Sequence, residues 1–154
     1  MDLREPHAPA AFSDTVIGLV TAAAVAVFVL LATSPVAEAA ANFSQLADHY
    51  GKLTGKGPAA FSAERGKAFW GTDHVSDNGE KMNCTTCHGT DLKQPGKHNK
   101  SGKRIEAMAP SANPERYTDL EKIEKWFTRN CKQVLQRECT AQEKGDVLRY
   151  LQQF

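Results

Sequence analysis

The longest apolar stretch of the sequence lies near its N-terminus, where the positions from Val16 to Ala32 include no charged residue. It is followed by Ala37-Glu38-Ala39, an Ala-x-Ala ending of the type that signal peptidase cleaves. We therefore expect residues 1–39 to be a signal peptide and residues 40–154 to form one mature domain in the periplasm. An uncleaved membrane anchor facing the periplasm is the alternative, because the first fourteen positions carry three acidic residues and one arginine, and about 17 apolar residues only just span a bilayer.

After this segment, apolar residues recur at helical spacing in four places, each preceded by a residue that can cap a helix. The predicted helices are Asn42 to Leu53, Ala63 to Gly71 after Ser62, a third opened by the capping box Thr118–Glu121 and ending near Asn130, and a last one opened by the capping box Thr140–Glu143 and ending near Gln152. A glycine-, proline- and lysine-rich loop is expected between Gly89 and Pro114. The pattern favours an all-α domain.

The segment Cys84-Thr85-Thr86-Cys87-His88 introduces chemistry, because it has the C-x-x-C-H pattern of covalent c-type haem attachment. Two thiols three positions apart can each bond a vinyl group of one porphyrin, and the adjacent histidine then lies beneath the iron as its proximal ligand. A zinc knuckle would need a second Cys/His pair at matching spacing, and a thioredoxin-like pair belongs near a βαβ pattern. We therefore predict one covalent haem c held by Cys84, Cys87 and His88.

Gly66 and Trp70 lie four positions apart and hence on one face of the second predicted helix. A glycine on that face lets another helix cross closely, and the last helix is its natural partner. Crossed N- and C-terminal helices, with the haem motif just after the first, resemble class I cytochromes c. A haem also supplies apolar surface that a domain of about 115 residues needs for its core.

The charge of the predicted mature domain is only mildly basic. Residues 40–154 carry 18 Lys and Arg residues against 14 Asp and Glu residues, which gives no reason to propose nucleic acid as a partner. The loop basic residues are Lys93, Lys97, Lys100, Lys103 and Arg104, with no acidic residue between Asp91 and Glu106. This run is either a solvated surface or a docking surface for an acidic redox partner.

The sixth coordination position of the iron has several candidate ligands. In the third helix an apolar stripe formed by Leu120, Ile123, Phe127, Asn130 and Cys131 predicts that Asn130 points inward. Its amide either bonds to the backbone or faces a haem pocket. Met108 lies in a loop similar to the methionine loop of electron-transfer cytochromes, and pattern alone favours it. His49, His74 and His98 are further candidates, but we expect all three to be exposed to solvent.

Two cysteines, Cys131 and Cys139, remain after the haem takes the other pair. In an oxidising compartment an even remainder predicts a disulfide, and free thiols are the alternative. Such a bond would close a nine-residue loop and tie down the residue directly after Asn130.

Several stretches together resemble the oxygen-binding monohaem cytochromes c of the SHP type, the sphaeroides haem proteins. They are Phe61–Trp70, Cys84–Leu92, Pro95–His98, Met108–Ser111, Thr118–Asp119, Glu124–Cys131 and Glu138–Asp146. The resemblance implies His88 and Asn130 as axial ligands and a disulfide between Cys131 and Cys139. It also implies an asparagine that leaves the iron when a diatomic molecule binds, with Met108 as a packing residue, and a dihaem cytochrome c as redox partner.

The leading hypothesis is a periplasmic cytochrome c that accepts electrons from a partner cytochrome and binds O2 or NO at its iron, where Asn130 is displaceable. Reduction of such a molecule would make it an enzyme. The second hypothesis is an electron carrier with Met108 on the iron. The third is a membrane-tethered haem subunit, which requires that the N-terminal segment be retained.

Overall fold

The computed structural model describes residues 35–75 and 79–154, which belong to one compact unit. Within these residues the structure has five α-helices: α1 (Pro35–Thr54), α2 (Ala63–Gly71), α3 (Thr85–His88), α4 (Leu120–Leu135) and α5 (Ala141–Leu151). None of the helices in this part of the chain is long and apolar enough to cross a membrane. The apolar stretch predicted as a leader, Val16 to Ala32, lies outside the described residues.

Helices α2 and α5 cross at Gly66, as the sequence predicts. Gly66 and Trp70 form the buried face of α2. A methyl group on Gly66 would lie 2.0 Å from the backbone oxygen of Asp146 and 2.9 Å from Cβ of Tyr150. Both contacts are far inside van der Waals distance, so only a glycine lets the two helices approach this closely. The predicted crossing of the first and last helices of the haem domain is confirmed.

A charged cluster holds the N-terminus of α2 against the same part of α5. Asp146 is only 4 % exposed, and its carboxylate accepts two hydrogen bonds from the Arg65 guanidinium, both 2.8 Å long, and one of 2.7 Å from the backbone N–H of Ser62. The Ser62 hydroxyl also caps α2 by accepting from Arg65 N. Because a buried carboxylate is tolerated only when it is paired and hydrogen-bonded, this cluster fixes how α2 and α5 are aligned.

Helix α1 is longer than the predicted helix Asn42–Leu53, because it begins at Pro35 and ends at Thr54. Its buried face is the predicted one, with Phe43, Leu46 and Tyr50 all in the core. The Phe43 ring lies 4.4 Å, centroid to centroid, from Tyr117 in the short 3₁₀ helix Pro114–Tyr117. Helix α1 thus packs against α5 and the segment that leads into α4.

Helix α4 begins and ends differently from the prediction. Its N-cap is Asp119, whose carboxylate accepts from Lys122 N, whereas the Thr118 hydroxyl donates to Glu115 O in the preceding turn. The predicted capping box with Thr118 is therefore wrong, because a better acceptor stands one position later. The helix also continues past Asn130 to Leu135, and ends at Gln136 with a left-handed backbone, φ 58°. The capping box Thr140–Glu143 on α5 is present as predicted.

Two short antiparallel hairpins lie between the helices. Strands β1 (His74–Val75) and β2 (Lys81–Met82) pair before the haem motif, with His74 opposite Met82. Strands β3 (Gly96–Lys97) and β4 (Arg104–Ile105) pair within the predicted loop, with Gly96 opposite Ile105. The lysine-rich segment is thus partly a hairpin. Its strands are only two residues long, which is too short for an alternation of apolar and polar residues to predict them.

We expect Gly66→Ala to lower the free energy of unfolding of the haem-loaded protein by about 2–3 kcal/mol, because the added methyl group meets backbone atoms that cannot turn aside. Gly71→Ala is the matched control, since nothing lies within 4 Å of a methyl group there; we expect it to change stability by less than about 1 kcal/mol. Chemical denaturation followed by circular dichroism measures both. Equal effects of the two substitutions would contradict the close crossing.

Candidate haem-binding site

The Cys84–His88 motif forms a single helical turn attached to the end of α2. Cys84 precedes α3, and its backbone N–H donates to Trp70 O at 3.2 Å. His88 N in turn donates to Cys84 O at 3.1 Å. Gly89 ends the turn with φ 71°, a left-handed conformation that a glycine adopts without strain. The turn therefore brings Cys84, Cys87 and His88 together, and the α2–α5 crossing determines where it lies.

The thiols of Cys84 and Cys87 are free and half-buried. Burial, with a smaller contribution from the nearby Cys87, raises the pKa of the Cys84 thiol to about 12. A methyl group on Gly96 would lie 2.2 Å from Cys87 O, so strand β3 packs directly against the backbone of the motif. Asn99 N donates to Cys87 Sγ at 3.4 Å. The lysine-rich hairpin thus forms one wall beside the second cysteine.

His88 is suited to bind a metal ion. Its ring lies 5.3 Å from the Trp70 ring, centroid to centroid, and its Nδ1 is buried without a hydrogen-bond partner in the described residues. Burial lowers the pKa of His88 to about 4, and the positive charge of Arg116 adds to this effect. The imidazole is therefore neutral at pH 7, which is the form that coordinates iron.

These observations fit a covalently attached haem. A half-buried imidazole whose buried Nδ1 has no hydrogen-bond partner in the described protein directly follows one free thiol and lies one helical turn after the other. This is the set of donors that c-type attachment uses. In the described residues no group of three or more His, Cys, Asp and Glu side chains is arranged to hold a metal ion by itself. A single imidazole beside two thiols suits a haem iron, which the porphyrin itself supplies with four nitrogen ligands.

Asn130 lies on α4, and the expectation that it points inward is wrong for the polypeptide. Ile123 and Cys131 of the same predicted stripe are buried and Phe127 is half-buried, but Asn130 is exposed. Asn130 lies at the edge of this stripe, and its own side chain is exposed although the adjacent Cys131 is buried. Its side chain makes no hydrogen bond within residues 35–75 and 79–154, so the protein does not use this amide as a cap.

Cys131 and Cys139 form a disulfide with a Cα–Cα distance of 5.6 Å. Both residues are buried. The bond joins the last turns of α4 to the residue before Thr140, the N-cap of α5. The backbone of the residue that follows Asn130 is thereby fixed to the helix that crosses α2.

A second attachment holds the first half of α4. The Tyr50 hydroxyl of α1 donates to the Glu124 carboxylate, and Lys144 Nζ of α5 donates to the same carboxylate at 2.6 Å. Burial alone would raise the pKa of Glu124, but hydrogen bonds from Lys144 and Tyr50 outweigh it and lower the pKa. Burial likewise raises the pKa of Tyr50. Helix α4 is therefore linked to both neighbouring helices on one side of Asn130 and by the disulfide on the other.

Met108 is held by its backbone and packs partly against the core. Its N–H donates to Leu92 O at 2.9 Å, and its carbonyl accepts from the Tyr117 hydroxyl. Its side chain is half-buried against the core cluster, and Ala107 and Ala109 on either side are buried. This environment is that of a packing methionine, a role that a flexible thioether fills well.

The three remaining histidine candidates are half-buried, so the expectation that all are exposed is wrong. The His49 ring lies 5.0 Å from the Tyr50 ring. His74 Nε2 is buried without a partner in the described residues. His98 Nδ1 accepts from Ser101 N at 3.1 Å and thereby stabilises the turn of the β3–β4 hairpin. Local turn contacts of this kind leave no periodic pattern in a sequence.

Sequence reasoning did not find three residues beside the site. Gln133 Nε2 of α4 donates to Asn99 Oδ1 at 3.3 Å, and Asn99 also contacts Cys87, so α4 reaches the haem motif through this amide pair. Arg116 is held by hydrogen bonds to the carbonyls of Ala107 and Glu106, and its charge acts on His88. Isolated amides and arginines carry no motif, so no signal in the sequence distinguishes them.

The chain is similar to known c-type cytochromes. Residues 56–151 match a family model described as a domain of unknown function, DUF1924. The cytochrome c-type protein SHP of Cereibacter sphaeroides is 43 % identical over 93 residues, which are 60 % of this chain and 71 % of SHP. A structure of oxidised SHP, described as an oxygen-binding cytochrome c, superposes with a TM-score of 0.63 and 39 % identity, covering 71 % of this chain and 94 % of SHP.

Cytochrome c'' from Methylophilus methylotrophus has the same fold. The crystal structure of its oxidised form superposes with a TM-score of 0.65 and 30 % identity, covering 73 % of this chain and 94 % of that protein. A solution structure of the same cytochrome is described as giving insight into the structural basis of haem-ligand detachment. The predicted all-α, cytochrome c-like fold is confirmed by both relatives.

Replacing both Cys131 and Cys139 by serine is expected to lower the free energy of unfolding by about 2–3 kcal/mol, because the unfolded chain regains the freedom of a nine-residue loop. Hydrogen exchange should also become faster at the amides of residues 130–135, which lose their link to α5. The amides of α2 serve as the internal control, since that helix is held by Gly66 and Arg65. Unchanged exchange at the end of α4 would contradict its dependence on the disulfide.

Proposed function

Since this chain belongs to the DUF1924 family and to the SHP-type c-type cytochromes, with one covalently bound haem c as its cofactor, we propose that it is a periplasmic cytochrome that binds O2 or NO. In this proposal His88 and Asn130 are the two axial ligands, and the protein accepts electrons from a partner cytochrome. The observation that carries it is the donor set: a neutral His88 whose Nδ1 has no hydrogen-bond partner in the described residues, next to two free thiols.

The residues of α3 have separate tasks. Cys84 and Cys87 would hold the cofactor through thioether bonds, and His88 would bind the iron from one face. A bound haem supplies an iron that carries one electron and binds a diatomic molecule wherever a coordination position is weakly held. The Trp70 ring packs against His88 and keeps water away from the imidazole. Because Cys84 is also bonded to Trp70 O, the orientation of the histidine follows from the position of α2.

Asn130 would provide the weakly held ligand on the other face. An uncharged amide is a poorer ligand for iron than an imidazole or a thioether, so a small molecule competes with it readily. Asn130 makes no side-chain hydrogen bond in the described protein, which supports this role, since no such bond has to break when the amide moves. After it is displaced, the amide N–H can donate a hydrogen bond to the incoming molecule.

Met108 supports the alternative, a methionine-ligated electron carrier, less well. Its main chain is fixed at both the N–H and the C=O, and its side chain already contacts the core. To act as a ligand it would have to leave that packing. Similarity to a protein described as oxygen-binding favours the asparagine as well.

The partner is proposed to be an acidic redox protein, with a dihaem cytochrome c as the form that the resemblance implies. The exposed lysines of the β3–β4 hairpin, Lys97 and Lys100 among them, lie close to the haem motif, because Gly96 and Asn99 both contact Cys87. Complementary charge at such a place raises the rate of encounter more than the affinity. The proposed surface is thus adjacent to the group that receives the electron.

We expect Asn130→Ala to bind carbon monoxide on the order of tenfold more tightly than the native protein, because a competing ligand is removed from the iron. The gain for O2 should be smaller, since O2 accepts hydrogen bonds more strongly than carbon monoxide and loses the amide donor. Ligand titrations of the reduced protein followed by absorption spectra measure both.

Met108→Ala is the matched control for this experiment and should leave both affinities within about twofold, since packing residues act only indirectly. The proposal is contradicted by a methionine–iron charge-transfer band in the oxidised native protein that disappears in Met108→Ala and persists in Asn130→Ala. That result would establish the electron carrier with Met108 on the iron.

Export is proposed from the apolar stretch Val16 to Ala32 and the Ala37-Glu38-Ala39 ending. We expect to find the protein in the periplasmic fraction of the native cells rather than in the membrane fraction, and we expect its first residue to lie near Ala40. N-terminal sequencing of both fractions checks this. Protein that begins at Met1 and remains with the membrane would establish the anchored form instead.

A further inference from the structure

Helix α4 has a strongly basic outer face. Four cationic residues, all exposed, follow one another along it with Trp126 among them: Lys122, Lys125, Arg129 and Lys132. At 100° per residue these five side chains and Gln133 lie within an arc of about 120°. Glu124 points to the opposite side, where it pairs with Lys144. The exposed Glu121 lies at the edge of the arc, and Lys132 pairs with Glu138 at 3.1 Å, so the positive charge of the face comes mainly from Lys122, Lys125 and Arg129.

Trp126 lies within this face and is 43 % exposed. The Arg129 guanidinium carbon is 5.3 Å from the centre of its ring, a cation–π contact that holds both side chains in place. A single exposed apolar residue is ordinary on a protein surface. Tryptophan and arginine are the residue types enriched at the energetic centres of protein interfaces, and here the two side chains are stacked on one another.

The basic face continues into the lysine-rich hairpin. Gln133, on the same arc of α4, donates to Asn99 Oδ1 at 3.3 Å. Asn99 stands between Lys97 and Lys100, and its N–H donates to Cys87 Sγ. The basic residues of α4 are thus linked, through the Gln133–Asn99 contact, to the lysines of the hairpin beside Cys87.

Trp126 is also next to the proposed ligand. Residues four positions apart are neighbours on a helix surface, so Trp126 and Asn130 lie one turn from each other on α4. A molecule docked on the indole would therefore cover the part of α4 that carries Asn130.

We propose that the outer face of α4, defined as Lys122, Lys125, Trp126, Arg129 and Lys132, docks an acidic electron-donating protein, with Trp126 as its apolar centre. This inference rests on the proposed acceptance of electrons from a partner cytochrome. The partner is argued from charge: a face on which cations outnumber acidic groups is complementary to an acidic surface. Electron transfer also requires a complex that forms fast and separates again, which complementary charge favours. The tryptophan supplies the contact that does not depend on salt.

An anionic membrane offers the same charge, but the helix does not fit it. An interfacial helix inserts its apolar face between the lipids. The apolar side of α4 is occupied, because Ile123 and Cys131 are buried in the protein. A single indole is then all that remains for insertion, so an acidic protein is favoured.

The experiment measures the reduction of the haem-loaded protein by a purified acidic dihaem cytochrome c in stopped flow, across a series of ionic strengths. For the native protein we expect a second-order rate constant that falls as salt is added. Lys125→Glu with Arg129→Glu should lower that constant on the order of 10- to 100-fold at low salt and flatten its salt dependence. Trp126→Ala should weaken the complex on the order of tenfold at every ionic strength, since an apolar contact is lost.

Two matched controls lie elsewhere on the surface. Lys67→Glu reverses an exposed charge on α2, and Leu53→Ala removes an apolar side chain of α1 that is 62 % exposed. Both should leave the rate constant within about twofold. Reduction by a small uncharged reductant, and the absorption spectrum of the haem, should be the same in all variants.

Three outcomes overturn the inference, and each is recognisable. If the native protein is reduced and the α4 variants are reduced equally fast, the face is not the docking site. If the native protein is not reduced by the dihaem cytochrome at any salt concentration, the proposed electron acceptance itself fails. If phosphatidylglycerol vesicles bind the native protein but not the α4 variants, while reduction is unchanged, the face binds lipid.

Discussion

The close contact between Gly66 and the backbone of Asp146 is the constraint on which the rest of the structure depends. Because Gly66 carries only a hydrogen atom where other residues carry Cβ, the backbones of α2 and α5 can lie in direct contact there. The Arg65–Asp146 pair aligns the two helices at that point. Because Trp70 lies in the last turn of α2 and its carbonyl accepts from Cys84 N, any change in the crossing would move the haem-attaching turn. The cofactor site is thus an extension of a helix contact, and its geometry derives from that contact rather than from the motif alone.

Helix α4 is held in a different way, by two attachments of different chemical kinds, hydrogen bonds at Glu124 and a disulfide at Cys131. Its first half is bonded through Glu124 to Tyr50 and Lys144, a partly exposed charged group, and its last turns are bonded covalently through Cys131. Between them Phe127 packs against the core cluster, whereas Trp126, Arg129 and Asn130 are exposed. The helix is therefore fixed at both ends, while Asn130 itself makes no side-chain hydrogen bond in the described protein, so that moving this side chain breaks no such bond.

The parts of this structure that could be predicted from the sequence are those with local physical causes. Ser62 and the Thr140–Glu143 box mark helix starts because their side chains satisfy backbone N–H groups within three residues, and Gly66 marks a crossing because no other residue fits. The errors arise where two local signals compete or where the tertiary structure decides. Asp119 caps α4 in place of Thr118, and Asn130, at the edge of the apolar stripe, is exposed although the adjacent Cys131 is buried. The Gln133–Asn99 contact joins residues 34 positions apart, and no spacing rule reaches that far.

The position of Asn130 at the boundary of two faces of α4 connects the proposed functions. On one side of it runs the stripe that begins with the buried Ile123, and on the other lies Trp126, one turn away and exposed. A rotation of α4 that buried the asparagine would also move the indole toward the core, and a rotation that exposed the indole further would withdraw the asparagine. Since the disulfide and Glu124 both resist rotation of the helix, they fix the positions of Asn130 and Trp126 relative to the core. If electrons enter over Trp126 and ligands exchange at Asn130, then docking and ligand exchange compete for the same turn of α4. A donor protein bound at the indole would then restrict access of small molecules to the iron while the donor delivers its electron.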